Sequence, residues 1–464
     1  MDGGSSGMAE IELPSPGENP SISPLPSVDV WSRRKVWFAR GLSLVGLVLI
    51  GLCAFLWIAS SHEDRLALGQ TWIPALAFLE GDFKVHIEHV ARLQAAGVDP
   101  YHKLDDWVCG LYPYPPMIGR LFGWVVLFDP FTASRVWLGT LGVLLAIGGF
   151  AAWRTRRELG LDSIPLAMIV ALVLFSSPAI FVMERGQCDP LIILPMIAAA
   201  WLLRRNQGWA DVMAGGLLGW TAWVKYYPGL AVVALIALGR RKGLAAFVVV
   251  AGLIGIVDFD GFRESVNHAK LTIIAMTMPD RYVHEMRHSL VENWELFSFV
   301  KNTWLVAIPA TVAAAILLLP AVFVVSRKVA KSADPGAVLY PYLLWLAALA
   351  TFGLPYAIDY NLAILPIATL AVWDRRDRWW VHLLILASVA WSQPFMLPIN
   401  GQVVLCLKLG AIYAVGACIA SRASEIKIVS QSKAEFQLFR PAHARIRQPF
   451  EAISGDSVPG SKRS

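Results

Sequence analysis

Four ionisable residues, Asp82, Arg185, Lys225 and Asp359, each stand at the margin of an apolar run. Asp82 lies in Gly81-Asp82-Phe83-Lys84-Val85-His86. A carboxylate held where a hydrophobic segment leaves a membrane can serve as general base to a hydroxyl, whose high pKa demands a positioned proton acceptor. Partial burial among Phe83, Tyr101 and Tyr114 would raise its pKa and make it a better base. Arg185, in Arg185-Gly186-Gln187, and Lys225, in Lys225-Tyr226-Tyr227-Pro228, can grip a phosphate. Arginine does so with a bidentate fork and lysine as a point charge. The plainer readings are a solvated loop acid at Asp82 and snorkelling of the two cations toward headgroups. If 81–95 is helical, Asp82, His86 and His89 fall on one face at i, i+4 and i+7. That face offers metal ligands too, but the spacing follows no zinc pattern and leaves the site open, so no metal is expected.

The elements that carry these residues follow from composition. The chain has 464 residues, 56% hydrophobic and 16% charged, against about one-quarter charged in a soluble domain. That deficit excludes a disordered chain, a soluble α/β enzyme or a nucleic-acid module for the bulk of the sequence. Separated apolar runs of spanning length make it an all-α polytopic membrane protein. The net charge of +6 matters less than its placement. Basic clusters recur at Arg33/Arg34/Lys35, Arg154/Arg156/Arg157, Arg204/Arg205, Arg240/Arg241/Lys242, Arg327/Lys328/Lys331, Arg375/Arg376/Arg378 and Arg422/Lys427. If all are cytoplasmic, the chain crosses an even number of times between them. The expected spans are about 41–60, 133–152, 163–180, 190–203, 211–225, 228–239, 244–258, 303–325, 339–356, 361–373, 380–396 and 403–420, about twelve in all. Segment 211–239 is open to a second reading, a single helix kinked at Pro228, which would invert everything after it.

The expected organisation is a disordered cytoplasmic N-terminus over 1–39, a membrane domain over 40–420 and a polar, basic cytoplasmic tail over 421–464. Two outside loops are long, 61–132 and 259–302, and hold seven of the nine histidines. Within the first, 113–128 opens on Tyr-Pro-Tyr-Pro-Pro after Tyr112 and reads as an interfacial or re-entrant helix. Cys53, Cys406 and Cys418 read as small buried hydrophobes, while Cys109 and Cys188 fall outside the spans. Asp82, Arg185, Lys225 and Asp359 all map to the face opposite the basic clusters. That coincidence favours chemistry over snorkelling for the set.

The ordered motifs resemble the polyprenyl-phosphate-dependent glycosyltransferases of GT-C architecture, most closely glycosyltransferase family 87. They are Gly81-Asp82-Phe83, Asp99-Pro100-Tyr101, Tyr112-x-Tyr114-Pro115-Pro116, Arg185-Gly186-Gln187, Lys225-x-x-Pro228, Asn293 and Pro355-x-x-x-Asp359. The resemblance implies a GT-C-type bundle in the bacterial cytoplasmic membrane with its active site on the extracytoplasmic face. There a sugar, with mannose favoured, would pass with inversion from a polyprenyl phosphate to a hydroxyl of a glycolipid or polysaccharide. Asp82 matches the family's catalytic base, and Lys225 its lysine near the donor phosphate. Phe83, His86, Tyr101, Tyr114, Gln187, Asp359, Tyr360 and Asn361 would line the pocket. No cofactor is expected beyond the lipid-linked sugar, and membrane lipid is the remaining partner. Two positions depart from the pattern: Asp189 stands where the family often has Asn, and Tyr360-Asn361 where it usually has His-His, which bears on sugar choice. The rival from another class is a transporter or lipid flippase, which would need a polar pathway at mid-membrane. Outside Lys408 and His382 the spans are clean.

Overall fold

The computed structural model describes residues 83–99, 114–266, 303–354, 359–390 and 401–438, and every regular element among them is helical. Helix α1 (His89–Ala95) continues a π-helical turn, Phe83–Glu88. Helices α2 (Pro116–Leu121) and α3 (Pro130–Glu158) both open on proline, whose missing N–H is no loss in a first turn. Asp129 caps α3, its carboxylate accepting from the Phe131 and Thr132 amides at 3.0 Å each. The expected span 163–180 is two pieces, α4 (Leu166–Leu174) and α5 (Ser177–Arg185). Pro178 has no N–H to continue the ladder, so the helix breaks just before it.

Helix α6 (Ile193–Arg204) follows a 3-10 turn, Asp189–Ile192. Helices α7 (Gly208–Val224) and α8 (Val232–Ala237) are separated by a second 3-10 turn, Tyr227–Ala231. Helix α9 (Arg241–Val257) is bent by 87° against α10 (Phe259–Val266). Beyond these come α11 (Thr303–Ala330), α12 (Leu339–Thr351), α13 (Leu365–Val372), α14 (Trp379–Ala390) and α15 (Gly401–Leu438).

The direction of α9 settles the ambiguous segment 211–239. Helix α7 meets α9 through glycines, and the contacts advance together along both chains. The Asp211 carbonyl lies against Gly243, Gly219 against the Phe247 carbonyl, and the Trp223 indole donates to the Ala251 carbonyl at 2.9 Å. The two helices are therefore parallel, and residues 225–240 must return the chain between them. The kinked single helix is excluded.

Ion pairs gather the basic clusters at one end of the bundle. Arg204 joins Glu158 at 2.5 Å and Asp334 at 3.9 Å. Arg156 donates to the carbonyls of Asp162 and Trp373, and Arg375 and Arg376 reach the Asp162 carboxylate. Arg240 meets Asn206 and Asp211, and Arg422 joins Asp377 at 2.5 Å. Of the clusters expected on one side, those of Arg156, Arg204, Arg240, Arg375 and Arg422 thus gather in one layer, while Arg33/Arg34/Lys35 lies outside the described residues.

Helices α12 and α13 are buried on all sides, as central helices are. The Trp345 indole donates to the Ile412 carbonyl at 2.8 Å and the Tyr340 hydroxyl to the Gly148 carbonyl at 3.2 Å, tying α12 to α15 and α3. The outward faces are apolar instead. Val143 and Phe150 on α3, Val248 and Leu253 on α9, and Leu319 and Phe323 on α11 are all exposed. Apolar surface of this extent suits contact with lipid. Among the described residues α3 and the stretch Leu405–Ile426 of α15 are each long and apolar enough to cross a bilayer, and α9 with α10 is a third if the bent pair counts as one. The expected span 303–325 lies within the unbroken 28-residue α11, and the other expected spans in the described residues are shorter or broken, so twelve full-length crossings are not what they show. Proline or serine at helix starts, and 3-10 turns at the end opposite the arginines, account for the breaks.

Two local expectations need correction, and a third gains detail. Phe83–Glu88 is π-helical, with about 4.4 residues per turn, so the α-helical i, i+4 geometry assumed for 81–95 does not hold there. Cys406 is exposed, because it faces outward on α15, whereas Cys418 is buried as expected. Segment 116–127 is a short α-helix followed by a 3-10 turn, Gly123–Leu127, with Leu127 and Phe128 exposed, as an interfacial segment requires.

Candidate functional site

The end opposite the arginine layer holds a buried polar network centred on Asp189. Helix α5 ends at Gly186, whose φ of 65° places it in the left-handed region that favours glycine. The amides of Gly186 and Gln187 bond back to Met183 and Val182, a closure that turns the chain inward. Gln187, Cys188 and Asp189 consequently point into the protein, and all are fully buried. The Trp137 indole on α3 donates to the Gly186 carbonyl at 2.7 Å and fixes this turn.

Lys225 comes from the opposite direction. It ends α7 in extended backbone, φ −149° and ψ 150°, and its side chain is directed inward. Its Nζ donates to Asp189 Oδ2 at 2.8 Å and to Gln187 Oε1 at 3.2 Å. The ammonium also lies 5.2 Å from the Tyr114 ring centroid, a cation–π distance. With 7% of its surface exposed, Lys225 is buried in protein and does not snorkel. The Tyr227 hydroxyl and Asn361 Nδ2 donate to Asp189 Oδ1 at 2.6 and 2.7 Å. The Tyr114 hydroxyl lies 2.9 Å from Gln187 Oε1 and 2.8 Å from its Nε2. A fully buried carboxylate is stable only when paired and hydrogen-bonded, and Asp189 has three donors from three further elements.

Of the residues expected at the site, Tyr114, Gln187, Lys225 and Asn361 are thus in one network. Phe83 is completely buried beside it. Its ring stacks on Trp137 at 6.0 Å and meets Phe122 edge-on at 5.9 Å. Arg185 ends α5 with its guanidinium 5.6 Å from the Phe181 ring centroid. Asp359 and Tyr360 share the turn Asp359–Leu362 with Asn361, and His86 belongs to the π-helical turn. Asp82 and Tyr101, like Cys109, lie outside the described residues. Cys188 is a free thiol, and burial pushes it up to about 12, so it stays protonated and is no nucleophile.

Asp189 and Tyr227 are the members that reading for chemistry passed over. The signal was present, since Asp189 sits two residues past Gln187 and Tyr227 two past Lys225. Close by, a cleft of about 190 Å³ runs between α2, α7 and α9, lined by Met117, Trp223, Ile254 and Val257. An ion pair of Arg120 with Asp258 at 2.7 Å stands at its side.

Residues 112–339 match the family model for glycosyltransferase family 87. Over that span the chain carries the sequence of this glycosyltransferase family. The matched span contains Tyr114, Gln187, Asp189, Lys225 and Tyr227, five of the six residues of the buried network. No curated protein and no solved structure matches this glycosyltransferase.

Proposed function

We propose that this family-87 glycosyltransferase is a multi-pass protein of the bacterial cytoplasmic membrane that takes its sugar from a polyprenyl phosphate. It transfers that sugar, mannose by preference, to a hydroxyl of a glycolipid or polysaccharide at the extracytoplasmic face. The observation that carries this reading is Lys225. Its ammonium is buried at the end opposite the arginine layer, in a bundle whose exterior is apolar.

In the reaction the acceptor oxygen forms a bond to the anomeric carbon as the bond from that carbon to the phosphate oxygen breaks. The bonding pair leaves with the phosphate, the hydroxyl proton passes to Asp82, and configuration inverts. The departing phosphate gains negative charge, which Lys225 and Arg185 offset in a site of low dielectric. Gln187 and Tyr114 orient the lysine, and His86, Tyr101, Asp359, Tyr360 and Asn361 contribute to the pocket. Support for Asp82 comes from its covalent neighbour. Phe83 stacks on Trp137, and Trp137 holds Gly186, next to Gln187. The apolar cleft beside Trp223 is suited to part of the lipid chain.

The test is to incubate the purified protein with a panel of polyprenyl-phosphate sugars and a membrane lipid extract, reading new glycolipids by mass. Positioned proton transfer contributes about 10²–10⁴-fold, so Asp82→Asn should lose at least about a hundredfold in rate while inserting normally. Near-normal turnover of that variant ends the base assignment. Movement of the lipid across vesicles with no new glycosidic bond would favour a flippase.

A further inference from the structure

We infer that Asp189 is a positioning residue that competes with the lipid-linked phosphate for Lys225 and thereby sets how tightly the released polyprenyl phosphate is held. The inference rests on the donor assignment above and concerns the same site.

The geometry separates a fixed partner from a movable one. Asp189 Oδ1 is held by Tyr227 at 2.6 Å and by Asn361 at 2.7 Å, from two different elements, and the residue is fully buried. Lys225 sits at the end of a four-carbon stem and touches Asp189 through the other carboxylate oxygen, Oδ2, at 2.8 Å. A phosphate that engages Lys225 therefore draws the ammonium while the carboxylate stays. Gln187 Oε1, 3.2 Å from Nζ, and the Tyr114 ring offer contacts along that movement.

The charges give this competition its sense. A sugar polyprenyl phosphodiester has one negative charge. The monoester left after transfer has up to two. A lysine with no internal partner would grip the product more tightly than the donor, and release would slow. With Asp189 fixed beside it, Lys225 has a carboxylate to return to, and the pair is neutral once the phosphate has gone. The same carboxylate weakens the hold on the donor, so removing its charge should lower KM and kcat together.

The experiment titrates purified protein in detergent with a polyprenyl monophosphate and measures donor kcat and KM alongside. Asp189→Asn keeps an oxygen for Tyr227 and Asn361 but deletes the charge. It should bind the monophosphate about tenfold tighter, with kcat and KM both reduced. Tyr227→Phe removes one donor from Asp189 without touching Lys225, so the carboxylate leans harder on the lysine. That variant should bind the monophosphate about threefold more weakly. Opposite signs are the signature, since a merely structural Asp189 predicts weaker binding in both. Asp189→Asn binding as wild type does, or more weakly, overturns the inference. If that variant does not fold, Tyr227→Phe decides, and unchanged or tighter binding overturns it. A wild-type protein that binds the monophosphate but transfers no sugar refutes the transferase reading alone. One that binds no monophosphate overturns both.

Discussion

Replacing Lys225 with methionine should destabilise the protein more than any loss of surface charge could. The substitution conserves length and leaves Asp189 buried without its cation. Removing one partner of a buried pair costs about 3–5 kcal/mol. Asp189 is completely inaccessible and the Lys225 side chain is 9% exposed, so solvent screening offers little discount. Tyr227 and Asn361 still donate to Oδ1, which places the expected loss near the low end, about 3 kcal/mol. For a large domain this is a fall of roughly 6 °C in the unfolding midpoint. The decisive comparison is the double variant Lys225→Met/Asp189→Asn, in which no charge is left unpaired. It should recover to within about 1 kcal/mol of wild type, so that the two substitutions couple strongly. Unfolding midpoints of the four proteins, read by tryptophan fluorescence in one detergent, give the answer. A Lys225→Met protein as stable as wild type, or a double variant no better than the single, refutes the claim that this pair is a buried, mutually dependent unit.

Gly215→Ala should separate α7 from α9, because its Cβ would collide with the Gly243 carbonyl, a backbone atom that cannot turn aside. A lower midpoint and loss of transfer are expected, whereas Gly216→Ala, whose nearest neighbour is a Val250 methyl at 3.5 Å, should be tolerated. Trp137→Phe keeps a ring against Phe83 but abandons the Gly186 carbonyl, and should cost about 1 kcal/mol with a larger proportional loss in transfer rate. Asp129 gives a pH test. Hydrogen bonds from Thr132, then from the Phe131 amide, hold its carboxyl below the ordinary 3.8. Its stabilisation is therefore complete above that value and lost as pH falls through the lower folded-state pKa. The difference in midpoint between wild type and Asp129→Ala should be present at neutral pH and should close in acid below 3.8.

The alternation of basic clusters was readable because arginine and lysine avoid the hydrocarbon and mark helix ends. The layer formed by Arg156, Arg204, Arg240 and Arg422 follows from that physics alone. The parallel run of α7 and α9 had a sequence signal in Gly215 and Gly219, one turn apart and able to admit another backbone, but glycine spacing does not say which helix comes close. The inward turn of Lys225 was not legible. A lysine at a helix end snorkels unless a buried acid calls it in, and Asp189 before a proline also reads as an ordinary helix start. Tyr114, Gln187, Lys225 and Asn361 were each visible for their chemistry. Their meeting in one network, with Lys225 and Asn361 on the Asp189 carboxylate and Tyr114 on Gln187, depends on the closing turn at Gly186 and on elements distant in sequence. The π-helical turn after Asp82 has no composition cue, although Phe83 and Ile87 on it are both fully buried.

The most direct measurement is photo-crosslinking with a polyprenyl phosphate that bears a diazirine near its phosphate, followed by mapping of the labelled peptides by mass spectrometry. Labels should fall around Tyr114, over 185–189 and over 225–227, and excess unlabelled polyprenyl phosphate should suppress them. Labels confined to the arginine end, over 156–162, 374–378 and 421–426, would contradict the account.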